Sequence, residues 1–172
     1  MKFSKYLPLT SLLLFVLMLK LTSMNAQTKE EPKNSFADVS IGYAYDKDDY
    51  SNKFLSLGLC NYGKIYEDVY FLTDINLNFG LKNSNVPFYS NFLVGARLLA
   101  TGNSSLKLFV DIESGLAIYQ VTPKIFSQGI ASALGIGFGY KNIFIDFKIN
   151  FLYGRNILIS PNTLSIGYTF GN

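Results

Sequence analysis

Between Asn142 and Tyr153 the chain reads NIFIDFKINFLY, and every second residue from Ile143 to Tyr153 is large and apolar. Phe144, Asp146, Lys148, Asn150 and Leu152 stand between them. Alternation of this kind is the mark of a β-strand, whose side chains leave opposite faces in turn. The same period recurs in blocks 36–45, 54–62, 68–80, 88–99, 105–119, 128–140, 143–153 and 162–170, with almost no helical period among them. Each block runs roughly 9 to 15 residues, the length of a strand that crosses a bilayer at a tilt.

The links between blocks alternate in length. GKIYE, Ala100 with TGNSS, and Lys141-Asn142 are short; DKDDYSNK, LKNSNVP, QVTPKIFSQ and GRNILISP are longer. Short turns at one rim and longer loops at the other predict an up-and-down barrel of antiparallel strands, closed on itself. The two-residue link predicts a register in which Lys148 lies opposite Gly135 and Asn150 opposite Ala133.

Which face meets water follows from what each face carries. One parity is the more apolar in every block and carries no charged residue, from Val39, Ile41, Tyr43 and Tyr45 in the first block to Leu164, Ile166, Tyr168 and Phe170 in the last. The other parity holds Asp38, Asp68, Asp74, Arg97, Lys107, Asp111, Glu113, Asp146 and Lys148. On strand six that parity is Ala131, Ala133, Gly135, Gly137 and Gly139, too small for a solvated exterior and suited to a narrow interior that must admit Phe144, Lys148 and Leu152. Apolar aromatics gather at both strand ends: Tyr43, Tyr45, Phe79, Phe88 and Tyr153 at one, Phe138, Tyr140, Tyr168 and Phe170 at the other. Two such girdles are the pattern of bilayer interfaces. The expected fold is therefore all-β: a closed eight-stranded antiparallel transmembrane β-barrel over 35–172. The competing reading is a secreted or periplasmic lipocalin-like barrel, apolar inside, that binds a small apolar ligand.

The first residues fit export. Lys2 and Lys5 precede an apolar core from Leu9 to Leu19, and Leu21 to Ala26 form a small polar end, which predicts a signal peptide over 1–26 and a polar lead over 27–34. The apolar run falls short of the roughly 20 residues of a spanning helix. Removing Lys2, Lys5 and Lys20 from the 15 Lys and Arg leaves 12 against 12 Asp and Glu, and no basic field for nucleic acid remains. The one cysteine, Cys60, forms no internal disulfide and sits in an apolar block.

The last strand, TLSIGYTF, alternates and closes on Tyr-x-Phe before Gly171 and Asn172. It resembles the terminal strand of bacterial outer-membrane proteins, the signal read by the barrel-assembly machinery, although their usual terminal residue is Phe. With the export signal and eight strands, the whole mature chain resembles the small outer-membrane barrels of the OmpA and OmpX type. That resemblance implies a cell outer membrane location in a Gram-negative-type cell, with the lipid bilayer and the assembly machinery as partners.

An eight-stranded barrel is just wide enough for side chains to fill. The interior charges are expected to form a structural network of Asp38, Asp74, Arg97, Lys107, Asp111, Glu113, Asp146 and Lys148, since buried charges persist only when paired. Arg97 is placed to reach Asp111 across strands four and five, Lys107 to reach Asp111 along its own strand, and Asp146 to pair with Lys148. No catalytic, cofactor or metal residue is assigned. Histidine is absent, no Ser or Cys has an evident base, and Asp111 with Glu113 offers too few oxygens for a hard cation. DKDDY in the first loop lacks the spacing of a calcium loop and reads as a solvated turn. Ile125-Phe126 and Ile157-Leu158-Ile159 are expected to extend strands above the membrane rather than to form a docking patch. The expected role is structural or surface-interactive, and not enzymatic.

Overall fold

The computed structural model describes residues 35–82, 84–101, 105–122, 125–154 and 157–171. The signal and lead segments expected over 1–34 lie outside the described residues. The described residues form nine strands in chain order: β1 Ser35–Asp46, β2 Lys53–Tyr66, β3 Val69–Gly80, β4 Phe88–Thr101, β5 Leu106–Thr122, β6 Ile125–Tyr140, β7 Ile143–Gly154, β8 Ile157–Ile159 and β9 Pro161–Phe170. All neighbours pair antiparallel, in the order β6-β5-β4-β3-β2-β1-β9-β7-β8, and a β6–β7 ladder closes the sheet.

Strands β8 and β9 fill one position in the wall. Leu152 pairs with Ile159 and Ile149 with Asn162, so the register against β7 is unchanged across the break at Ser160. Closure removes sheet edges, which hydrocarbon does not tolerate. The Lys141-Asn142 turn places Lys148 opposite Gly135 and Asn150 opposite Ala133, the register expected from its length. Lys141 takes φ 54° there, and Glu67 takes φ 31° in the turn between β2 and β3.

Pattern fixes orientation. The apolar parity is outside: Leu116 is 66% exposed and Ile112 60%, and Ile41, Phe71, Leu134, Ile145, Leu164 and Ile166 are exposed as well. Leu59 shares this parity but is buried, in the cross-strand row Val39–Leu59–Ile75. A soluble carrier would present the opposite faces, so the lipocalin-like alternative does not describe this chain. Aromatic residues mark both rims of the exterior. Phe79 and Phe88 have ring centroids 5.4 Å apart toward the long loops, and Tyr168 and Phe170 lie 4.8 Å apart toward the short turns. Asn142 Nδ2 donates to the Tyr168 hydroxyl at 3.0 Å, a polar tip held at the interface level.

The interior is layered. Phe36, Tyr62, Tyr70, Leu72, Leu99, Phe109 and Phe144 pack with Cys60 in the short-turn half. Phe54, Val86, Tyr89, Leu93, Tyr119, Leu152 and Ile159 pack with Ala44, Ala117, Ala131 and Ala133 in the long-loop half. Small residues make this filling fit. A Cβ at Gly137 would run into the Phe109 ring, one at Gly154 into Tyr119, and one at Gly167 into Phe144. Phe144 thus covers Gly167 of β9 rather than its β6 partner Gly139. A Cβ at Gly135 would come within 3.0 Å of Lys148 Cγ, so this glycine gives the lysine its path inward.

Both apolar loop segments are built into strands. Ile125 and Phe126 begin β6, paired with Thr122 and Gln120, while β8 pairs with β7. Ile159 is buried and Leu158 is exposed.

Candidate functional site

The charged middle of the lumen is built around Arg97 of β4. Arg97 Nε donates to Asp111 Oδ1 at 2.7 Å and Nη2 to Asp111 Oδ2 at 2.9 Å, a two-pronged pairing with the neighbouring strand. Nη1 crosses the bore to Asp38 Oδ2 on β1 at 2.7 Å. The guanidinium is held between the Tyr62 ring at 4.3 Å and the Phe109 ring at 4.1 Å. Two aromatic faces on a desolvated cation add attraction that water would weaken. Arg97 is 3% exposed and Asp111 fully buried.

Lys148 of β7 is the second node. Its Nζ donates to Asp74 Oδ2 at 2.6 Å and Glu113 Oε1 at 2.7 Å, and lies 4.0 Å from Asp111 Oδ2. Asn76 Nδ2 donates to the same Asp74 oxygen at 2.8 Å. The two cations together tie β1, β3, β4, β5 and β7 across the bore. Above them Asn150 Nδ2 donates to Thr163 Oγ1 and to the Pro161 carbonyl, both at 3.1 Å.

Two of the expected pairings are not made. Lys107 does not reach Asp111: Phe109 lies between them on the same face, and Lys107 Nζ stands 5.6 Å from the Phe36 ring. Asp146 does not pair with Lys148, because residues two apart on one strand face are separated by roughly 6–7 Å and the lysine extends to the opposite wall. Ser165, opposite Asp146 across the β7–β9 ladder, offers its hydroxyl instead. Asp68, read from the sequence as interior, is exposed in the turn before β3.

The long-loop rim holds a second cluster that the sequence reading passed over as a solvated turn. Asp46 Oδ1 accepts from Ser160 N and Asp48 N, both at 3.2 Å. Asn52 Oδ1 accepts from Asn85 N at 2.9 Å and Ser84 Oγ at 3.4 Å. Asn85 Nδ2 donates to Asp49 Oδ2 at 3.1 Å. Asp46, Asp49 and Asn52, spaced three apart, therefore staple the first loop to the second and to the β8–β9 junction. Asp49 also accepts from Ser51 Oγ at 2.6 Å and Ser51 N at 3.0 Å, and these bonds hold its carboxyl below the usual carboxylate range. Among the described residues no group of three or more Cys, Asp or Glu is placed to hold a metal ion.

Inward charges, outward apolar groups and a closed antiparallel wall define the class: an eight-stranded transmembrane β-barrel, the architecture of small outer-membrane proteins. Solved structures resemble the chain, and the first of them carries the same fold. Neisserial surface protein A (NspA) is 17% identical with a TM-score of 0.62, over 80% of this chain and 96% of that one. The amino-terminal β-barrel domain of OprF from Pseudomonas aeruginosa is 16% identical with a TM-score of 0.49, over 81% and 100%. Ail from Yersinia pestis, in a phospholipid nanodisc, is 15% identical with a TM-score of 0.48, over 79% and 99%. No family model matches the chain, and no curated protein matches it in sequence.

Proposed function

We propose that the chain is an integral outer-membrane protein that works through its exterior and its long-loop rim, not through passage along its lumen or through catalysis. The observation that carries this reading is the bore itself. Arg97 and Lys148 hold carboxylates on facing walls, between two apolar side-chain clusters. A charged network of Asp38, Asp74, Arg97, Asp111, Glu113 and Lys148 acts here as structural filling. Arg97 and Lys148 are each held by two of these carboxylates inside the bore, away from a diffusing solute.

The rest of the chain serves delivery in this proposal. Residues 1–26 direct export and are removed, 27–34 form a short lead, and TLSIGYTF is read by the assembly machinery. The stapled rim is the part presented outside the cell, where an envelope or surface partner would be met.

Cell fractionation with heat-modified gel migration tests the reading. The protein should sediment with outer membranes, require detergent for extraction, and run at different positions before and after boiling. Planar-bilayer recordings should show no steady conductance. Solubility without detergent, or a stable open pore, would contradict it.

A further inference from the structure

The polar layer of the bore holds two amides that the charged network does not serve. Asn78 of β3 is 2% exposed and Asn91 of β4 is 1% exposed. The β3–β4 ladder sets Asn78 opposite Tyr89 and Asn76 opposite Asn91, so Asn78 and Asn91 are diagonal neighbours on one patch of inner wall. Ser56 of β2, also buried, stands directly opposite Asn78 on its other side. Neither Asn78 Oδ1 nor Asn91 Oδ1 accepts a hydrogen bond from a protein group among the described residues. A buried acceptor without a donor carries the whole cost of its removal from water, and such groups in folded proteins are satisfied by protein or by ordered water.

This patch borders a cavity of about 20 Å³, lined by Ser56, Asn78 and Asn91 together with Arg97, Lys148 and Asn150 among others. That is room for about one water-sized molecule. The lining also narrows the chemistry of an occupant. Two amide oxygens call for a donor and disfavour an anion, while Arg97 and Lys148 border the same space and disfavour a cation. The volume excludes larger molecules. Turning either amide over would exchange its acceptor for a donor, a need that water meets equally well. Both ends of the patch are covered. The Phe54 and Tyr89 rings, with centroids 4.9 Å apart, lie toward the long loops, and Lys148 on Asp74 lies toward the short turns.

We propose that this cavity is a binding site for one ordered water, which donates to Asn78 Oδ1 and to Asn91 Oδ1 and accepts from the Ser56 hydroxyl. The two hydrogens of water match the two acceptors, and its oxygen matches the serine donor. The water is structural: it joins the inner faces of β2, β3 and β4 beside the Asp74–Lys148 node, where side chains of adjacent strands do not bond one another. The inference rests on the barrel and its filling alone, and it stands apart from any role of the long-loop rim.

A crystal structure of the full chain in detergent, at a resolution that shows ordered surface waters, tests this. The map should show one water peak within hydrogen-bond distance of Asn78 Oδ1, Asn91 Oδ1 and Ser56 Oγ. In Asn91→Leu, which removes one acceptor and adds bulk to the cavity, that peak should be lost while Lys148 keeps its contacts to Asp74 and Glu113. If the variant fails to fold, the map of the unaltered protein decides alone. An empty cavity beside well-resolved surface waters, amides bonded to protein groups in its place, or a peak that survives unchanged in Asn91→Leu would overturn the site. Density that refines as an ion would overturn it too.

Discussion

Arg97 is the residue on which the lumen depends most. It pairs with two carboxylates on two other strands and is stacked by two rings, and every partner is buried. Arg97→Ala strands Asp38 and Asp111 without a counter-charge, a change that costs about 3–5 kcal/mol when a buried pair is broken from one side. Urea unfolding in micelles should show a loss of that size, whereas replacing Arg97, Asp38 and Asp111 together by apolar residues of similar volume should recover most of it. At the rim, Asp49 answers to pH. Its carboxyl lies below the usual value because Ser51 donates twice to it. A depressed folded value means that the stabilisation is present above the ordinary Asp range and is lost as pH falls through the lower, folded value. Ser51→Ala should move the Asp49 titration upward in an NMR pH series; an unmoved titration would contradict the assigned bonds.

At the scale of the strand, alternation was the legible part. In β7 the outward set Ile143, Ile145, Phe147, Ile149, Phe151 and Tyr153 and the inward set around Asp146 and Lys148 follow from period two alone, because a one-residue slip would reverse both. The β6–β7 register followed from the length of one turn. The side-chain partners were less legible, for a geometrical reason. Lys148 reaches Asp74 and Glu113, which are 74 and 35 residues away in sequence. Only the closure of the barrel brings them opposite, so local spacing suggested Asp146 in their place. Likewise Phe109 interrupts Lys107 and Asp111, and its ring position depends on Gly137 across the ladder. The Asp46 and Asn52 staples were hidden because their acceptors serve backbone groups of other loops, which carry no sequence signal. The strand also gives a depth prediction. Ile149 lies near the middle of β7, and Ile149→Arg should cost about 2–4 kcal/mol in lipid, while Ile145→Arg, nearer the short-turn rim, should cost less. Folding titrations into vesicles measure both, and equal costs would contradict the placement of the bilayer along β7.

For the whole molecule, the account rests on one inversion: apolar groups face out and charges face in. The inversion explains why six outward residues of β7 can be large and greasy while the same strand carries Asp146 and Lys148. It also explains the two aromatic rims, the glycines behind Phe109, Phe144 and Tyr119, and a bore closed by side chains. Spin labels placed singly at Ile149, Asn150, Phe151 and Leu152 in the protein reconstituted into lipid vesicles, with Cys60 replaced by Ser, test it most directly. The account predicts high accessibility to dissolved oxygen at 149 and 151 and low accessibility at 150 and 152. Water-soluble nickel chelate should be excluded from 149 and 151. Nickel access at 149 and 151, or no alternation along the four positions, would contradict it.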